Sequence, residues 1–194
     1  MIELSDLYRK EVLTANAKLI GIVDDVAFDI SSWKVPAIGI KINKGNEEFL
    51  NKKKKLLGQQ MAFVKVETVR AITDMVTLNV DMEKMGATVL EDYKAQTTLE
   101  DQVGKRVLDK SGKEIGTISG FQIDMENYWT VPLFEINVNK DSTDSLDIKK
   151  KIGVKPTIKL RTSDIKNMAD VVLLSIDTNG IKDYLNKKPV SRVN

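Results

Sequence analysis

The chain has neither cysteine nor histidine. The first absence excludes disulfides and thiolate metal sites, and the second removes the commonest general base and the commonest transition-metal ligand. No Ser-His couple, Cys-His couple or zinc finger can be assembled from what remains. No run of 18 or more apolar residues is present, so no segment reads as a membrane span. The opening MIELSDLYRK lacks the successive basic, apolar and small-residue regions of a signal peptide, and a cytoplasmic protein is expected. Charge of one sign is also missing: 30 basic residues face 28 acidic ones, and a net charge of +2 sets up no global field for a polyanion. The phosphate-cradling loop, the dinucleotide glycine fingerprint and the Gly-x-Ser-x-Gly elbow are all absent. Carboxylates are plentiful but scattered, so no acid–base pair follows from spacing. The sequence therefore predicts no catalysis, no cofactor and no metal.

What is present is a repeat. KLIGIVDDVAFDISSWKVPAIGIKI (18–42) is echoed by KEIGTISGFQIDMENYWTVPLFEINV (113–138). Gly21 and Gly116 lie 95 residues apart, as do Ile20 and Ile115, Asp29 and Asp124, and Gly58 and Gly153. Beyond the turn the offset becomes 96, taking Trp33 to Trp129 and Pro36 to Pro132, so the second copy has one more turn residue. VRAITDMVTLNV (69–80) also matches IKNMADVVLLSI (165–176) at 96. Two copies of this length are domain-sized and too few for a stacked array. The expected division is a first domain at 1–82, a short helix or linker at 83–98, a second domain at 99–180 and a helix or tail at 181–194.

Within each copy the apolar residues alternate, Ile38, Ile40, Ile42 in one and Phe134, Ile136, Val138 in the other, the period of a sheet with one buried face. Six strands are predicted in the first copy, at 8–13, 19–29, 34–43, 60–66, 68–73 and 75–80. The fold class expected is all-β with short helices: two tandem six-stranded small barrels, closed so that no strand edge is left unpaired. Gly21 and Gly116 fall inside strand patterns, where a bulge or tight coil is the usual need for glycine. Asp29 and Asp124 end a strand at the turn, where a carboxylate accepts backbone N–H groups.

The segments KEIGTISGFQID and KLIGIVDDVAFD, followed by a hairpin and alternating strands, resemble the PRC-barrel, the small all-β domain of the photosynthetic reaction centre H subunit and of the ribosome-maturation factor RimM. The second copy carries the pattern at Gly104, Val107, Asp109, Gly112, Ile115 and Gly116. The first departs from it at Arg9, in place of the early glycine, and at Asn16-Ala17, in place of the Ser-Gly turn. WKVPAIGIKI, NKKKKLLG and VETVRAITDMVTLNV are similar to the archaeal CdpB group of PRC-barrel cell-division proteins. That resemblance implies a cytoplasmic, non-enzymatic adaptor that associates with other PRC-barrel proteins, as a homo- or heterodimer, and with the SepF membrane anchor of the FtsZ ring at the division site. Contact with the membrane would then be indirect. The alternative it leaves is an RNA- or ribosome-assembly accessory resembling RimM, although no strong nucleic-acid motif is present.

Trp33 and Trp129 occupy matching positions. They read as core residues beside Pro36 and Pro132, as partner-binding anchors together with the neighbouring Tyr128, or as residues at the contact between the two barrels. The runs Lys52, Lys53, Lys54, Lys55 and Lys149, Lys150, Lys151 fall in corresponding loops. A solvated loop is the plain reading and a docking patch for an acidic tail or anionic lipid the functional one.

Overall fold

Alternation of apolar and polar side chains becomes strand pairing in the computed structural model, which describes residues 1–54, 58–91, 93–149 and 153–187. The first copy runs β1 (Ile2–Glu3), β2 (Glu11–Leu13), β3 (Leu19–Val26), β4 (Ala37–Ile42), β5 (Met61–Lys65), β6 (Val69–Ile72) and β7 (Val76–Leu78). The second runs β8 (Arg106–Leu108), β9 (Glu114–Asp124), β10 (Thr130–Val138), β11 (Thr157–Arg161), β12 (Ile165–Met168) and β13 (Val171–Leu174). Two short helices belong to the second copy, α1 (Lys140–Ser145) and α2 (Thr178–Asn186). The fold is thus mostly β with a few short helices.

The two copies share one topology. Strand order is β5-β4-β3-β2-β7-β6 in the first and β11-β10-β9-β8-β13-β12 in the second. In each, one pair is parallel, β2 with β7 and β8 with β13. Registers correspond as well: Val12 faces Gly21 as Val107 faces Gly116, and Val12 faces Val76 as Val107 faces Val172. Closure, however, is not seen. In each six-stranded path the two end strands are consecutive in the chain and joined only by a three-residue 3-10 turn, Val66–Thr68 or Thr162–Asp164. The chain turns a corner there instead of laddering one end strand onto the other, so the sheets are open and the expected closed barrels are corrected.

Two compact units divide the chain, Met1–Gln102 with Phe121–Val131, and Val103–Gly120 with the residues from Pro132 onward. The first unit therefore takes in the outer part of the β9–β10 hairpin. There β1 pairs antiparallel with β9, Ile2 opposite Ile123. Its core holds Ile20, Val23, Ile38, Ile40, Val64 and Leu78, each fully buried. After β7 a 3-10 helix, Met82–Thr88, buries Met82 and Met85, and Leu90 N–H then donates to Phe63 C=O at 2.9 Å. The second unit's core holds Val107, Ile115, Phe134, Ile136, Leu160 and Val172, joined by Ile181 of α2. Each such side chain contributes roughly 1.5–3 kcal/mol by leaving water.

Gly21 and Gly116 have a direct steric cause. Each sits at a register shift, and a Cβ would press into a carbonyl of the partner strand, that of Lys41 or of Asn137. Other glycine positions of the repeat keep their backbone without glycine. Gly104 and Gly112 have φ of 86° and 87°, and their first-copy counterparts Arg9 and Ala17 have 62° and 56°. The hydrogen bonds that require this conformation are the same: Arg9 N–H to Val23 C=O and Gly104 N–H to Ile118 C=O are both 2.8 Å.

Candidate interaction site

The turn after β3 is built by Asp29. Its Oδ1 accepts from Ser31 N–H at 2.9 Å and from Ser31 Oγ at 2.6 Å, and its Oδ2 accepts from Ser32 Oγ at 2.6 Å. These bonds hold the carboxyl down at about 2. Asp124, its counterpart, accepts a 3.4 Å bond from Asn127 N–H, and Glu126 and Asn127 stand where Ser31 and Ser32 follow Asp29, so the serine hydroxyl donors are missing from the second turn. Both turns belong to the first unit, and they are bonded to each other. Val35 N–H donates to Trp129 C=O at 2.9 Å and Val131 N–H to Trp33 C=O at 2.8 Å, with Lys34 and Thr130 as the bridged pair. Equivalent residues of the repeat thus exchange equivalent bonds.

The aromatic side chains separate into buried and exposed. Trp129 is 7% exposed. Trp33 is half-buried, its ring 5.5 Å from buried Phe28, which in turn lies 6.2 Å from Phe121. Tyr128, by contrast, is 80% exposed, and Lys34 Nζ stands 5.9 Å from its ring centroid, within cation–π range. Trp33, Tyr128 and Trp129 all have left-handed backbone, with φ of 54°, 54° and 56°. Beside them opens a cleft of about 450 Å³ walled by Pro36, Val66, Met125, Tyr128 and Trp129, with Asp29, Glu67, Glu126 and Lys34 among its charged lining. Pro36 C=O accepts from Val66 N–H at 3.3 Å and closes one wall. Pro132 lies in β10, outside this cleft.

The lysine loops follow matching structures. Asn51 and Asp147, 96 residues apart, both turn the chain at left-handed φ, and buried Leu50 and Leu146 precede them. Lys52 is half-buried, while Lys53, Lys54 and Lys149 are exposed. Lys55, Lys150 and Lys151 lie outside the described residues.

Among protein families, the PRC-barrel domain matches residues 1–84. The chain carries a PRC-barrel domain. The Asp29 turn, the cleft wall at Pro36 and Val66 and the first lysine loop all fall within that PRC-barrel domain. No curated protein sequence matches the chain. Among solved structures it is similar to a putative 16S ribosomal RNA processing protein, RimM, from Pseudomonas aeruginosa. The two share 7% identity at a TM-score of 0.30, over 81% of this chain and 98% of that one. A superposition that loose supports no inference about this chain.

Among the described residues no group of three or more acidic side chains is placed to hold a metal, and no helix is long and apolar enough to cross a membrane. Asp25 of the PRC-barrel domain has its carboxyl pushed upward, first by burial and then by Asp101 and Asp24, against bonds from Val26 and Thr98. Tyr8 is raised too, by burial and then by the field of Asp25, Glu100 and Asp101. Neither residue lines the cleft beside Tyr128.

Composition and spacing point to none of Phe63, Tyr93 or Lys94, which with Lys52 and Met61 line a second cleft of about 670 Å³. Tyr93 is the one signal that was available, an aromatic residue in a polar stretch between the copies.

Proposed function

We propose that the chain is a non-enzymatic adaptor, a PRC-type scaffold of twin domains (1–82 and 99–180) that binds protein partners at its turn surface. Tyr128 carries this reading. Two successive non-glycine residues in left-handed backbone present it to solvent. Each such residue costs on the order of 1–3 kcal/mol and persists only where its surroundings hold it, as at binding surfaces. An exposed tyrosine over a cleft with apolar walls is also a residue type enriched among interface anchors. The acidic groups nearby support binding better than chemistry, since Asp29 is tied down by Ser31 and Ser32.

Resemblance to the CdpB-type division proteins makes a SepF-like anchor and a second PRC-barrel protein the first partners to test, with recruitment to the division site as the consequence. Calorimetric titration of the full chain against each is expected to give saturable binding that Tyr128→Ala weakens about tenfold, the loss of one anchor side chain. Failure to bind either protein overturns the reading. So does binding of RNA that falls steeply with salt and is indifferent to Tyr128→Ala, which favours the ribosome-assembly role instead.

A further inference from the structure

The second cleft differs in chemistry from the turn surface. In β5, Ala62 and Val64 point into the core, so the alternate residues Met61 and Phe63 stand on the outer face. The chain returns alongside: Val89 bridges Val64, Leu90 N–H donates to Phe63 C=O, and Tyr93 N–H donates to Leu90 C=O at 3.3 Å. This folds the Tyr93 ring back onto Phe63, edge to face at 71° with centroids 5.2 Å apart. Lys52 is held at the mouth by its own backbone, whose N–H donates to Glu47 C=O at 2.9 Å. Asn51 fixes the preceding turn by bonding Gly86 C=O and Glu91 Oε1. Lys94 closes the other side, and among the described residues the lining of this cleft of about 670 Å³ holds two cations and no carboxylate. Lys53 and Lys54 extend the positive rim into solvent.

We propose that this cleft docks an acidic segment of a protein partner. An aromatic or large aliphatic side chain of that segment lies against Phe63 and Tyr93, and carboxylates on either side of it meet Lys52 and Lys94. Charge complementarity selects the flanks and the apolar floor selects the centre. Lysines alone give weak, salt-screened attraction to any anion; the floor adds burial, which is what makes the recognition selective. A membrane surface fits less well, because the rings are half-buried in a concavity and do not project as an inserting apolar face. Single-stranded nucleic acid fits less well too. Base stacking needs open ring faces, and here one ring meets the other edge-on.

The probe is a fluorescein-labelled heptapeptide with a central phenylalanine and three acidic residues on each side, titrated into the full chain by anisotropy. Lys52→Glu with Lys94→Glu is expected to weaken binding at least tenfold, and serine for the central phenylalanine about fivefold. Tyr93→Ser is expected to act like the peptide change. Lys110→Glu with Lys166→Glu, reversing two exposed lysines elsewhere, is expected to change it less than twofold. Equal losses for both lysine pairs, or equal binding of the phenylalanine and serine peptides, overturn the proposal. Displacement of the peptide by oligouridine or phosphatidylserine vesicles at lower concentration than unlabelled peptide overturns it as well. Tyr128→Ala is expected to leave the peptide affinity unchanged, so failure here and failure of the turn-surface reading can be told apart.

Discussion

Gly116→Ala isolates the steric demand that the repeat places on its sheets. Gly116 does not have a positive φ, so alanine is conformationally acceptable there, and loss of unfolded-chain entropy by itself favours the substitution by about 0.4–1 kcal/mol. Against this, the new Cβ would meet the Asn137 carbonyl, with its carbon at 2.9 Å and Ile136 Cγ2 at 3.0 Å. The obstacle is backbone of the neighbouring strand, which cannot rotate aside. Overpacking of this kind costs on the order of 3 kcal/mol, at the upper end of the usual range. The net expectation is destabilisation by about 2–2.6 kcal/mol. Gly120, four residues along the same strand, provides the control: a Cβ there meets only Glu135 Oε2, at an ordinary 3.8 Å. Gly120→Ala is therefore expected to be neutral or slightly stabilising. Urea unfolding of the full chain, followed by circular dichroism, reads both. A Gly116→Ala variant as stable as Gly120→Ala would refute the claim that close strand approach fixes this glycine.

Ala17→Gly is expected to stabilise the protein by about 0.5–1 kcal/mol, since an L-residue at left-handed φ costs about 1–2 kcal/mol and glycine returns part of that in chain entropy. Thermal unfolding checks this, with Gly112→Ala expected to shift in the opposite sense. Buried Asp109 accepts from Ser111 N–H, Ser111 Oγ and Lys113 N–H on Oδ1, and from Thr178 N–H and Thr178 Oγ1 on Oδ2, pinning the start of α2 to the β8–β9 turn. Burial pushes its carboxyl up, but those bonds prevail and hold it below the ordinary range. Asp109→Ala orphans several donors, and a loss of about 3 kcal/mol in urea unfolding is expected. Asp29, at about 2 against an ordinary 3.8, binds its proton more weakly folded than unfolded. Its contribution is thus present above about pH 4 and lost as pH falls from about 4 towards 2. Acid titration of stability should show that loss, and Asp29→Asn should flatten it.

Much of this architecture was legible because the repeat preserves what the sheets cannot do without. Gly21 and Gly116 mark the close strand approach, the alternating isoleucines mark the buried face, and the six predicted strands recur with shorter ends. The open path was not legible, because the corner at Val66–Thr68 looks in sequence like any short break between two strands. Strand β1 escaped because two residues cannot show a period. Arg9 and Ala17 misdirect for another reason: hydrogen bonds hold them in backbone that glycine would adopt more cheaply. At the candidate sites, Tyr128 and the tryptophans were marked by their position in the repeat, but their differing exposure depends on pairing between two turns nearly a hundred residues apart. The cleft at Phe63 and Tyr93 depends on a segment folding back along an edge strand, which no local pattern announces.

The adaptor account is tested most directly by placing a photo-crosslinking benzoylphenylalanine at position 128 in living cells, with position 170, also exposed, as the comparison. Discrete protein adducts at 128, absent at 170 and carrying the same partner in replicate preparations, are expected. Adducts to RNA alone, or the same adduct pattern at both positions, would contradict it.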